Sequence, residues 1–230
     1  MASLTGTKML LWASISTVLI ASSGASSAAV LTYDFEDANT QGSPGAYYYA
    51  SGFTQYSSDG KTAASAPGVI FSGMSGVQNN AGAWGFPTAP APGTNAAFIQ
   101  SFNGQPSSPG IISLDLSSLV AGQAYSLTFF EVGRPGTGAD PFSVAYGSTS
   151  WSFTPTFNWT QVTETFVAQA GVTSLVFTGA ILGGDHASGI DNVTLSAVPE
   201  PATWAMMLMG FASIGLLAYR RKRAPSFRLA

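Results

Sequence analysis

Gln123–Val132 reads QAYSLTFFEV. Tyr125, Leu127 and Phe129 fall on alternate positions, with Ser126 and Thr128 between them. A period of two is that of a β-strand, whose successive side chains point to opposite faces. One face is expected in a core and the other toward water. Similar stretches flank it: VLTYDF from Val30, AAFIQSF from Ala96, IISLDL from Ile111, FSVAYG from Phe142, WTQVTETFVA from Trp159, TSLVFTGA from Thr173 and GIDNVTLSA from Gly189. They are rich in β-branched and aromatic residues, and Gly, Pro, Ser and Asn separate them. No convincing long helical period interrupts them. Strands spaced in this way predict an all-β fold, a β-sandwich of the jelly-roll type, over residues 30–197. Asp37–Pro92 is richer in Gly, Ser and Pro, so longer loops are expected there.

A chain of 230 residues suits one domain plus terminal signals. Only 8% of it is charged, against roughly 25% in an ordinary globular protein. Its surface must rely on hydroxyls and amides. It has no cysteine, which excludes a disulfide framework, a zinc–thiolate site and a cysteine nucleophile. Between Val30 and Val198 there are ten acidic residues and two basic ones, Lys61 and Arg134, a net of −8. Such a body repels nucleic acid. Its carboxylates suit Ca²⁺, which prefers oxygen ligands.

The two ends differ from the body. Residues 1–29 open with a polar stretch ending at Lys8, continue with the apolar MLLWASISTVLIA and finish in the small residues SSGASSAA. That order predicts a secretory signal peptide cut before Val30. At the other end, Ala202–Tyr219 is an 18-residue run without charge. As a helix it would be about 27 Å long, near the roughly 30 Å of bilayer hydrocarbon, which predicts a transmembrane segment. Trp204 and Tyr219 would sit at its interfaces, and Arg220, Arg221, Lys222 and Arg223 would form a cytoplasmic stop. Pro199 and Pro201 keep the preceding stretch extended and accessible.

Pro199-Glu200-Pro201, then an apolar helix, then an Arg-rich end resembles the PEP-CTERM sorting signal of Gram-negative bacteria, over residues 198–224. The resemblance implies an inner-membrane hold and recognition by an exosortase. That membrane-embedded enzyme would cut near the Pro-Glu-Pro motif and release the body to the cell surface or the extracellular matrix. The additional residues APSFRLA after the basic cluster depart from the usual ending.

The body also resembles the galactose-binding-like jelly rolls, which include many carbohydrate-binding modules. YDFED resembles their opening strand; LVAGQAYSLTFFEVGRP, PFSVAYG and FNWTQVTETFVAQAGVTSLVFTG their central strands; GGDHASGIDNVTLS their closing strand. The resemblance implies a structural Ca²⁺ where opening and closing strands meet, with an early Glu and a late Asp as ligands. Glu36 and Asp191 suit those roles, and strand alternation places Asp34 on the same face as Glu36.

Catalytic chemistry is thinly represented. His186 is the single histidine, and no G-x-S-x-G elbow occurs. Glu131, Glu164, Asp140 and Asp185 are the carboxylates open to a glycosidase pair, but no spacing sets two of them face to face. Arg134–Asp140 reads as a loop. Aromatics are better supplied. Tyr47, Tyr48 and Tyr49 lie in a Gly-rich stretch expected to be a loop, with Tyr56 nearby, and Trp84 and Phe86 sit between Gly and Pro. Tyr47, Tyr48, Tyr49 and Trp84 are the candidate sugar-stacking platform, while Trp151 and Trp159 are expected in the core. The expected function is that of an exported, exosortase-sorted surface or matrix protein with a carbohydrate-binding-like domain, an exopolysaccharide being its ligand. An extracellular polysaccharide hydrolase and a purely structural envelope protein are the alternatives.

Overall fold

A computed structural model describes residues 30–40, 44–79, 84–90, 93–102, 108–198 and 201–222. Twelve strands are present among them: β1 (Val30–Tyr33), β2 (Tyr47–Tyr49), β3 (Val69–Ser72), β4 (Ser75–Asn79), β5 (Asn95–Ser101), β6 (Ile111–Asp115), β7 (Ala124–Gly133), β8 (Phe142–Tyr146), β9 (Thr149–Phe153), β10 (Thr160–Val167), β11 (Ser174–Gly179) and β12 (His186–Ala197). One helix, α1 (Pro201–Lys222), follows. The expected signal peptide, residues 1–29, lies outside the described residues.

The strands form two antiparallel sheets. The larger has the order β10-β7-β12-β5-β4-β2, and the smaller β3-β6-β11-β8-β9. β1 pairs with the last part of β12, Val30 opposite Ser196, while β5 pairs with its first part, His186 opposite Ser101. The opening and closing strands are thus neighbours. At most connections the chain passes from one sheet to the other, so a β-sandwich results.

Alternation in β7 has the expected consequence. Tyr125, Leu127 and Phe129 are buried between the sheets with Ile112, Val144, Phe177 and Leu195. Burying a side chain of this size contributes about 1.5–3 kcal/mol, so this layer supplies the main cohesion of the domain.

The other face of the larger sheet is covered too. Tyr49, Met74, Trp84, Phe86, Phe98, Val132 and Ala187 form a second apolar cluster there. Two glycines let it sit against the backbone. A Cβ on Gly189 would lie 2.9–3.0 Å from Val132, Phe86 and Trp159, and one on Gly76 would lie 2.8 Å from the Phe98 ring. Trp159 donates its indole N–H to the Pro87 carbonyl at 3.0 Å and packs against this cluster. Trp151 packs against the main core. Both tryptophans are only partly buried, at the edges of these clusters rather than inside the core as expected.

Helix α1 covers the expected C-terminal segment. Its described side chains, residues 205–220, are all exposed. Among the described residues no helix is long and apolar enough to cross a membrane. The described residues therefore do not bear out the transmembrane reading of residues 202–219. The side chains of residues 202–204 lie outside the description.

Candidate functional site

Tyr47, Tyr48 and Tyr49 form β2, an edge strand paired with β4, and not the expected loop. Strand geometry then separates them. Tyr48 stands opposite Val77, a core residue between the sheets, while Tyr49 stands opposite Gly76 on the outer face. Tyr47 and Tyr49 share that outer face with Trp84: their ring centroids lie 5.1 and 5.8 Å from it. Trp84 stacks on Phe98 at 4.1 Å. Three of the four candidate platform residues come together, and Tyr48 does not join them.

These rings wall a cleft of about 230 Å³, completed by Tyr56, Gln100, Arg134 and Asp185. Tyr49 and Trp84 are nearly buried and make its floor, whereas Tyr47 and Tyr56 are only partly covered. A polar row crosses the cleft. The Tyr49 hydroxyl donates to Gln100 Oε1. Gln100 Nε2 donates to Asp185 Oδ1 at 2.7 Å, and Arg134 Nη1 donates to Asp185 Oδ2 at 2.6 Å. Burial, helped by the negative charge of Asp185, pushes the Tyr49 phenol well above its usual range. Its proton stays in place at any working pH. Such a cleft can stack the face of a flat ring and bond hydroxyls at its edge. A larger groove of about 410 Å³ lies beside β3 and β6. Its lining, which includes Ile70, Ser113 and Asp115, contains no aromatic ring among the described residues. Chemistry, not size, recommends the cleft.

Gln100 and Arg134 were not legible as site residues, and Asp185 was legible only as a carboxylate open to a glycosidase pair, though two signals existed. Gln100 follows Phe98 at strand spacing, so both point outward from a strand the sequence predicts. Arg134 is one of only two basic residues in an acidic body.

The other carboxylates are structural or isolated. Asp140 accepts Ser101 Oγ–H at 2.7 Å and the Ala180 N–H at 3.0 Å. Burial pushes its pKa up to about 6. Glu131 is buried, its Oε2 without a partner among the described residues, and burial pushes its pKa up to about 7. Glu131 is opposite Thr160 and Glu164 is opposite Leu127. Four residues of strand, about 13 Å of backbone, separate those rungs. His186 starts β12, and its Nδ1 is buried without a partner among the described residues.

Asp191 is 1% exposed, beside a bulge in the β12–β7 ladder. Burial first, and then the nearby charges of Glu36 and Asp34, push its pKa up to about 8. Glu36 Oε1 accepts the N–H groups of Thr94 and Asn95 at 2.9 and 2.8 Å. Asp34 Oδ1 accepts the N–H of Glu36 at 3.2 Å. Among the described residues no group of three or more His, Asp or Glu side chains is set to hold a metal. A Ca²⁺ bound there would need backbone carbonyls as further ligands, since it takes six to eight oxygens.

Of the sorting residues, Pro199, Glu200 and Arg223 lie outside the described residues, as do the side chains of Pro201, Arg221 and Lys222. Arg220 is exposed near the end of α1.

Comparison with known proteins gives a result for each part. Residues 197–223 match the family model of the PEP-CTERM protein-sorting motif. The chain thus carries that signal, which implies export, C-terminal membrane anchoring before cleavage and processing by exosortase. Among solved structures, the body is similar to the CBM22-1 xylan-binding domain of Xyn10C from Paenibacillus barcinonensis, with 13% identity over 76% of this chain and 97% of that one, at a TM-score of 0.46. It is similar to the K2 cleaved adhesin domain of Lys-gingipain, with 12% identity over 75% and 99% of the two chains and a TM-score of 0.46. A CBM4 module gives 19% identity over 45% of this chain and 84% of that one, at a TM-score of 0.37. No curated protein matches the sequence.

Proposed function

We propose that this chain is an exported protein that α1 holds in the inner membrane until exosortase cuts near Pro199-Glu200-Pro201. Its sandwich then serves at the cell surface or in the matrix as a module that binds a neutral glycan. The observation that carries the binding reading is the cleft, where partly open Tyr47 and Tyr56 rings flank the Gln100–Asp185–Arg134 row. Asp185 already neutralises Arg134, and the body carries a net of −8, so an anionic polymer would be repelled. A neutral chain can stack on the rings and bond its hydroxyls to the row. Glu131 and Glu164 sit four rungs apart on paired strands and neither lines the cleft, which supports binding without turnover there.

Affinity electrophoresis of the chain in gels containing neutral polysaccharides tests this. Retardation by at least one polymer, weakened by Tyr47→Ala and by Arg134→Ala with both variants still folded, is expected. Mobility equal to that of the two variants in every neutral gel would reject the reading and leave a purely structural envelope role.

A structural Ca²⁺ between the opening and closing strands forms a separate part of the proposal. Asp191 supports it, since negative charge from Glu36 and Asp34 gathers around a buried carboxyl, and a hard cation relieves such crowding.

A further inference from the structure

We propose that the end of the sandwich from which α1 leaves is a membrane-docking face that rests on lipid headgroups. The inference stands on the reading of α1 as the membrane anchor. The fold grips the chain as far as Val198. The Val198 N–H donates to the Ala124 carbonyl at 2.8 Å, and Gln123 Nε2 donates to the Val198 carbonyl at 2.8 Å. Helix α1 begins at Pro201. Three Cα steps reach at most roughly 11 Å. The headgroup layer is about 5–8 Å thick on each side of the hydrocarbon. A domain gripped that close to the apolar run cannot stand clear of the headgroups.

The surface at that end suits such a contact. Residues 116–123 and 168–173 meet there: the Gly122 N–H donates to Ala168 O at 2.7 Å, and the Ala168 N–H donates to Gln123 O at 2.9 Å. Neither segment contains Asp, Glu, Lys or Arg, and nor do residues 196–198. Val120, Val167 and Val198 are 64%, 55% and 36% exposed. Asp115 borders this end and accepts the Ser117 N–H at 2.9 Å. Resting on headgroups thus desolvates no charged side chain of these segments, and the exposed valines can reach the headgroup–acyl boundary, where apolar side chains are favoured; a cut before Val30, which stands opposite Ser196 at this end, would add an α-ammonium there that lipid phosphates can pair. The tether keeps the local concentration of lipid high, so a weak contact suffices. Arg134, Asp140, Asp185 and His186 all lie at the opposite end, where β7 finishes and β12 starts. Docking therefore turns the cleft away from the bilayer.

The absence of cysteine makes single-site labelling clean. The full chain is reconstituted in phosphatidylcholine vesicles with a fluorophore on Val120→Cys, Val167→Cys or, at the far end, Ile181→Cys. Headgroup-nitroxide lipid should remove most emission at positions 120 and 167 and leave position 181 bright. Equal emission at all three overturns the docking face, as does self-quenching at position 120 without nitroxide, which would mean that a second copy covers it. A label on Leu208→Cys, read against lipids brominated in the acyl chain, separates the two failures. Quenching there with bright 120 and 167 rejects docking alone. No quenching there rejects the anchor and the docking face with it.

Discussion

Tyr47 and Tyr49 sit two residues apart on one strand and share a face, yet their environments assign them different work. Tyr49 is 5% exposed and meets Phe98 at 4.9 Å. Tyr49→Ala should lower stability by about 3–5 kcal/mol, the range for a buried aromatic cut to alanine. Tyr49→Phe keeps the ring and removes only the hydroxyl that holds Gln100. It should fold normally and bind more weakly, because Gln100 loses the partner that aims its amide at Asp185. Tyr47→Ala should weaken binding and cost less stability than Tyr49→Ala, since Tyr47 is only partly covered and gives up edge contacts with Tyr49 and Trp84, an aromatic pair being worth about 0.5–1.5 kcal/mol beyond area burial. Urea denaturation paired with affinity electrophoresis reads both quantities. If Tyr47→Ala unfolds the domain as readily as Tyr49→Ala, both rings are core residues and the cleft loses its stacking surface.

At the level of elements, legibility followed the number of covered faces. β7 has one face between the sheets, and its alternation was plain from Tyr125 to Phe129. All five residues of β4 are buried, because the outer cluster covers the face that alternation would leave polar. A strand buried on both sides shows no period of two. β2 is three residues long, held by its pairing with β4 and by rings from distant parts of the chain, none of which is a local signal. The β8–β9 hairpin was within reach: Gly147-Ser148 separates two strands, and Gly147 has φ of 56°, the left-handed conformation such turns need. β12 carries the prediction at this scale. Its end is pinned through Val198, next to the proposed cleavage motif, and a membrane protease needs extended, free backbone. Gln123→Ala removes one of the two pins and should speed conversion of the precursor to mature protein. Pulse-chase with intact-mass analysis of surface material reads the rate. Mature protein should lack residues 202–219. Surface protein that still contains them would reject processing, and an unchanged rate in Gln123→Ala would show that the pin does not limit access.

Across the whole molecule, one end has Asp115 at its border and few other charges, and the other carries Arg134, Asp140 and Asp185, about 40 Å away along the twelve residues of β12; the buried carboxyls govern how the fold responds to pH. Asp140, Glu131 and Asp191 have their pKa values raised to about 6, 7 and 8, each chiefly by burial. The folded state keeps these protons after the unfolded chain has released them near pH 4. Their stabilising effect is full below about pH 4 and is lost as pH rises through each folded value. Asp59 and Asp115 are lowered by hydrogen bonds, Thr62 being the main partner of Asp59 and Ser117 that of Asp115. They act with the opposite sign, and only below about pH 4. Melting temperature in chelator should therefore peak near pH 4, fall most steeply to about pH 6, and level off above about pH 8. Asp191→Asn should flatten the last part of that fall, between about pH 7 and 8. Calcium, if Asp191 holds it with Glu36 and Asp34, should do the same in the parent chain by favouring the ionised carboxylate, and should do nothing in Asp191→Asn. Scans from pH 4 to 9, with calcium and with chelator, separate the outcomes. A melting temperature that rises between pH 4 and 8 would overturn the assignment of buried, proton-holding carboxyls. A falling curve identical in calcium and chelator would keep that assignment and reject the metal.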